Sequence, residues 1–223
     1  MSNTVTAQLD GVVNSRRLLD HSFYRRWSAG ELPIDELRTY AKEYFHYALA
    51  FPTFLSAAHA QSDDIRVRQE ILENLIEEER GPGNHPELWL RFCESLGLRR
   101  EEVLAHEPSA TTRSLIRTMR SLSSSSTLEG LAALYAYESQ VPDVARAKIE
   151  GLAQYYGVSE PRDVAFFTVH MTADVEHSKT ARELLEALCD DGEKNDDARR
   201  AVESATQALY GFLDGVEAQA RVA

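Results

Sequence analysis

Apolar residues recur at three- and four-residue intervals along nearly the whole chain, and no run alternates apolar and polar positions long enough for a strand. The pattern predicts an all-α architecture. Leu18, Leu19, Phe23 and Trp27 form a short stripe that Gly30 ends; Pro33, Asp35 and Glu36 then suit the first turn of a new helix. ELRTYAKEYFHYALAFPTFLSAAHAQ (36–61) predicts a long aromatic-rich helix, bent near Pro52 because proline removes a backbone donor. DDIRVRQEILENLIEEER (63–80) is the next helix, closed by the breaker cluster GPGN at 81–84. HPELWLRFCESLGL (85–98) restarts at once, with Asn84 as N-cap and Gly97 as stop.

Residues 109–122 predict another helix, and SLSSSSTLEG (121–130) reads as a low-complexity loop whose last Ser or Thr caps its successor. LEGLAALYAYESQ (128–140) follows, broken at Pro142, then VARAKIEGLAQYYG (144–157), a helix within 160–188 and a last amphipathic one from about Asn195 to Arg221. Eight to ten helices with short connections imply a compact bundle, and no repeat of 20 to 50 residues is visible.

Composition adds bounds. The 223 residues carry 43% hydrophobic side chains and no internal shift of composition, so one domain over 1–223 is expected. A net charge of −12, without a Lys/Arg cluster interleaved with aromatics, argues against nucleic acid or an anionic membrane surface as partner. No apolar run suits a membrane span, and MSNTVTAQLD lacks the regions of a signal peptide, which predicts a soluble, cytoplasmic protein. Cys93 and Cys189 stand alone and read as reduced, partly buried thiols.

The candidate chemistry lies where polar residues interrupt apolar stripes. In HMTADVEH (170–177), His170, Asp174 and His177 share the helix face of Phe167, Ala181 and Leu188, whereas Glu176 points away. Glu138 continues the stripe of Leu128, Leu131 and Leu134, and a carboxylate there is costly to bury unless it is paired or ligates a cation. A third intrusion comes from ENLIEEERGPGNH, where an acid of the EEE run and His85 flank the helix break. Glu77 reads as solvated; the stripe of Ile71, Leu72, Leu75 and Ile76 favours Glu79 inward over Glu78, and both stay in play. Three carboxylates and three imidazoles without a thiolate suit iron or manganese better than structural zinc, and suffice for two ions with open positions. Such a centre in a helical bundle points to dioxygen activation.

ENLIEEERGPGNHPELWLRF, LYAYESQVP and FFTVHMTADVEH resemble, in order and spacing, the motifs of the haem-oxygenase-like dimetal oxidases, most closely the CADD-like branch linked to folate metabolism. The resemblance covers about residues 15 to 190 and implies the helical bundle shared with TenA-type thiaminases and pyrroloquinoline quinone synthase. It implies Glu78, His85, Glu138, His170, Asp174 and His177 as ligands of two ions, Fe with Fe or Mn, and so selects Glu78. It further implies an oxygen-dependent reaction, with an external reductant, in which such a protein makes p-aminobenzoate from one of its own tyrosines and needs no external organic substrate. The matching tyrosine is Tyr24, with Tyr40 and Tyr137 near the site and Lys148 as source of the amino group.

Two other classes compete. In one, the same scaffold acts on a free amino acid or fatty acid, which requires no sacrificial tyrosine; in the other, the chain is a non-enzymatic interaction protein. TenA-like thiamin hydrolysis fits less well, since LEGLAALYAYESQ carries no cysteine nucleophile. A homodimer is a reasonable expectation for such folds.

Overall fold

A computed structural model describes residues 4–221, and among these the chain is helical with no strand. Eleven α-helices are present: α1 (Val5–Ser15), α2 (Ser22–Ala29), α3 (Ile34–Gln61), α4 (Ile65–Glu79), α5 (His85–Ser95), α6 (Arg100–Leu104), α7 (Ala110–Ser125), α8 (Thr127–Glu138), α9 (Val141–Tyr155), α10 (Ala165–Leu188) and α11 (Gly192–Ala220). A single 3-10 turn, Leu18–Asp20, links α1 to α2. No described helix is long and apolar enough to cross a membrane.

Local signals account for most boundaries. Gly30 ends α2 with φ 71° in the left-handed region, where its backbone N–H bonds the carbonyls of Arg26 and Trp27. Asp64 and Asn84 cap α4 and α5 by accepting from Arg66 N and Glu87 N. Helix α3 stays α-helical through Pro52.

The structure corrects the sequence reading at three places. Helices α1 and α6 were not expected, and the total exceeds eight to ten. SLSSSSTLEG is not a loop: α7 continues to Ser125, and only Ser126 is non-helical, capping α8 by accepting from Glu129 N. The cause is tertiary. Leu115, Met119 and Ser123 are buried at helical spacing on α7, and packing of that face outweighs the weak helix preference of serine.

Helix α8 runs through the centre of the bundle against α11, α7, α10 and α3, and every residue from Gly130 to Glu138 is buried. Such a helix is apolar all round rather than amphipathic, which makes Glu138 conspicuous as the charged residue at its buried end. Helix α10 packs against α8, α9, α5 and α4. The ends of α4 and α8 and the start of α5 thereby face the middle of α10.

Candidate dimetal site

Asn84 organises the break between α4 and α5: its Oδ1 accepts from Glu87 N at 3.0 Å and its Nδ2 donates to Gly81 O at 2.8 Å. Glu78 and His85 are thus turned toward each other, with Oε2 and Nδ1 2.7 Å apart. Yet His85 Nδ1 makes no aligned hydrogen bond. The two atoms sit at ion-pair distance without the alignment of a hydrogen bond, and both could turn to a shared cation.

The six candidate residues fall into two groups. Glu78, His85 and His170 form one, and Glu138, Asp174 and His177 the other; within each, the ligand-capable atoms lie within 4.8 Å of one another. The stripe on α10 is therefore divided, with His170 serving the inner group and the last turn of HMTADVEH the outer one. Five of the six are buried and His177 is nearly so.

Glu78 is buried while Glu77 and Glu79 are exposed, so the periodicity argument for Glu79 was wrong. The inward stripe of α4 is Val67, Ile71, Asn74 and Glu78. Its inner half is polar, so the apolar centroid is displaced toward Leu72, which is 40% exposed.

Burial sets the protonation pattern. His170 donates from Nδ1 to the Phe166 carbonyl at 2.6 Å, which leaves the Nε2 lone pair free; burial, with His85 beside it, lowers its pKa to about 3. The carboxyls of Glu138 and Asp174 are both pushed up by burial, Glu138 further by the charge of Asp174. Burial opposes charge on His177, but its bond to Asp174 and the charge of Glu138 hold it up at about 9. Asp174 Oδ2 has no partner, and none of Glu78, Glu138 and Asp174 pairs with Lys or Arg among the described residues. Buried acids without a Lys or Arg partner, beside the neutral imidazole of His170 and with His177 as a second nitrogen once its proton is released, fit hard or borderline divalent cations such as iron or manganese.

The predicted tyrosines and lysine lie together next to the inner group. The Tyr24 and Tyr40 hydroxyls are 3.3 Å apart, and Lys148 Nζ donates to Tyr40 at 2.6 Å. Tyr137 hydrogen-bonds Tyr44 instead. Tyr24, Tyr137, Tyr44, Lys148 and His170 share a small cavity of about 20 Å³. Burial raises the pKa of each of these phenols, so they stay protonated. Lys148 is buried rather than at the surface, and burial lowers its pKa to about 7. Six aromatic rings stand 5.1 to 5.9 Å from its nitrogen.

Sequence reasoning missed two residues. Asn74 donates to Glu138 Oε1 at 2.8 Å, and Tyr44 joins Tyr137 to the ring stack of Tyr40 and Trp89. Each stood four residues from a residue already singled out, Asn74 before Glu78 and Tyr44 after Tyr40, on the same helix face.

Over residues 38–210 the chain matches the profile of a family described as iron-containing redox enzymes. It is 46% identical to a 4-aminobenzoate synthase of Chlamydia muridarum over 93% of this chain and 87% of that one. A 4-aminobenzoate synthase of Nitrosomonas europaea is 42% identical, over 96% and 92%. Among solved structures, a CADD-like protein of unknown function from Nostoc punctiforme superposes with a TM-score of 0.78 at 19% identity, covering 96% of each chain.

Proposed function

The chain belongs to the iron-containing redox enzymes of haem-oxygenase-like fold, and from that premise we propose that it makes p-aminobenzoate from its own Tyr24, with Lys148 supplying the amino group. The observation that carries this reading is the buried run of Tyr24, Tyr40 and Lys148, which opens on His170. In this reading Glu78, His85 and His170 hold one ion, Glu138, Asp174 and His177 the other, and the pair is Fe with Fe or Mn. When bound, that centre supplies one-electron oxidation and activation of dioxygen, with electrons from an external reductant.

The side chains do the rest. Tyr40 stands between the two reactants, positioned to bond the Tyr24 hydroxyl on one side and the Lys148 amine on the other. Lys148, desolvated and without a carboxylate partner, loses its proton near pH 7 and presents a nucleophilic amine. The product retains one carbon beyond the ring, so Cβ of Tyr24 is kept, its bond to Cα breaks and dioxygen oxidises it to the carboxylate; Nζ of Lys148 replaces the phenolic oxygen, which leaves as water, and its bond to Cε breaks. Phe23, Trp27 and Tyr40 pack around the Tyr24 ring and its neighbours, which excludes water and holds the ring in one orientation.

The test supplies Fe(II), alone or with Mn(II), then oxygen and a reductant, and no organic substrate. Expected are less than one p-aminobenzoate per chain and a mass loss that maps to Tyr24. Unchanged yield from Tyr24→Phe, or an added small molecule consumed over many turnovers, would overturn the self-sacrificing reading.

A further inference from the structure

A cavity of about 570 Å³ opens beside the outer group, with Glu138 and His177 in its wall. Its lining carries five glutamates, Glu70, Glu73, Glu77, Glu138 and Glu176, and no Lys or Arg among the described residues. Glu70, Glu73 and Glu77 are exposed and fall on one stripe of α4, at i, i+3 and i+7, and Glu176 is exposed on α10. Most of the remaining wall is aliphatic, including Leu55, Leu131, Leu134 and Leu184. One sign of charge over low-dielectric walls focuses the field along the cavity and concentrates cations within it. An anion, including a benzoate, is repelled by the same field.

Two further observations tie this cavity to a cation. Asn74 lines it, is 7% exposed, and has an Oδ1 with no hydrogen-bond partner among the described residues. Glu77 reaches from the rim to His177, with Oε2 3.3 Å from Nε2. The inner group is placed differently: none of Glu78, His85 and His170 lines this cavity, and His170 borders the small one among the tyrosines.

On the reading that the two groups bind metal, we propose that this acidic funnel is the loading path for divalent cations. Glu77 passes each ion to His177, and the outer group fills before the inner one. The rim glutamates act on the rate of capture, and Asn74 offers an amide oxygen along the way.

The probe is Co(II), mixed rapidly with the metal-free full-length chain and followed by its visible absorbance, with bound metal counted at the end. The parent should bind two ions in two phases, the faster one slowing steeply as NaCl is added. Replacing Glu70, Glu73 and Glu176 together by Gln should slow that phase roughly tenfold and flatten its salt dependence. Glu77→Gln should slow it as well. If two ions bind to these variants at the parent's rate and with the parent's salt dependence, the funnel is not the path. If Asp174→Asn still fills the inner group at the parent's rate, the order of filling is wrong. Should the parent bind no Co(II), the dimetal reading falls and the loading path with it, an outcome distinct from unchanged rates. If the triple variant does not fold by circular dichroism, Glu73→Gln and the parent's own salt dependence decide the matter.

Discussion

Lys148 Nζ lies 2.6 Å from the Tyr40 hydroxyl and forms no ion pair with a carboxylate among the described residues. Its pKa is lowered by burial from 10.5 to about 7. A base whose folded pKa is depressed binds fewer protons folded than unfolded between the two values, so stability from this group rises with pH from about 7 to 10.5. Lys148→Met removes that dependence. The stability difference, parent minus variant, should therefore increase by up to about 1.4 kcal/mol per pH unit across this window. Urea midpoints of the metal-free proteins at several pH values measure it, and a flat difference would mean that Lys148 keeps an ordinary pKa. Lys148→Arg, which stays charged, should yield no p-aminobenzoate.

A second prediction concerns the wall behind that lysine. A Cβ on Gly151 would stand 2.6 Å from Trp27 Cδ1 and 2.8 Å from its Nε1, and the indole in turn donates to the Lys148 carbonyl at 3.3 Å. Gly151→Ala must displace a fully buried ring. Overpacking of this kind costs about 1–3 kcal/mol, against roughly 1 kcal/mol returned by better helix propensity. A lower urea midpoint with an altered near-ultraviolet tryptophan signal is expected. A variant as stable as the parent would show that α2 and α9 separate easily.

The sequence reading and the structure part company for identifiable reasons. Helices with a clear apolar stripe or a breaker at their end, such as those stopped by Gly30 and by GPGN, were legible. Helix α6, five residues long, is too short for a stripe; α1 carries Val5, Leu9 and Val13 at helical spacing and was passed over; the serine run of α7 is helical because Ser123 is packed, which no local rule contains. In the candidate site, Glu138, His170, Asp174 and His177 were visible as interruptions of a stripe, whereas Glu78 was selected by the family motif against the stripe, and the six residues fall into two groups of three. That division was not visible, because it depends on which helix ends face each turn of α10. Asn74 and Tyr44 escaped because buried amides and phenols look ordinary on a half-polar or aromatic helix.

The two groups also predict how metal is lost. Glu78→Ala and Asp174→Ala touch different groups, so each should reduce bound metal from two ions per chain toward one, whereas the double variant should bind none. Metal added to the parent should raise its melting temperature. One site at a hundredfold excess over Kd contributes about 2.7 kcal/mol, or roughly 5–10 °C for a chain of this size. Calorimetry with and without a chelator checks this; equal melting temperatures would mean that these residues hold no metal.

Asn74 separates a role in metal binding from a role in folding. Its Nδ2 orients Glu138, while its Oδ1 is buried without a partner, so the amide costs the metal-free protein part of what its single bond contributes. Asn74→Leu keeps the volume and removes the orphaned oxygen together with the donor. Metal-free stability should therefore change by less than about 1 kcal/mol, in either direction. Metal binding should suffer more: Glu138 loses the group that aims it, and such losses cost about 10–100-fold in affinity. The weakening should be confined to one of the two ions, since Glu78, His85 and His170 are untouched. Competition of Co(II) with a chelator measures both affinities. Loss of stability without loss of affinity would make Asn74 a packing residue; loss of affinity alone would show that Glu138 binds metal only when its carboxylate is held by this amide.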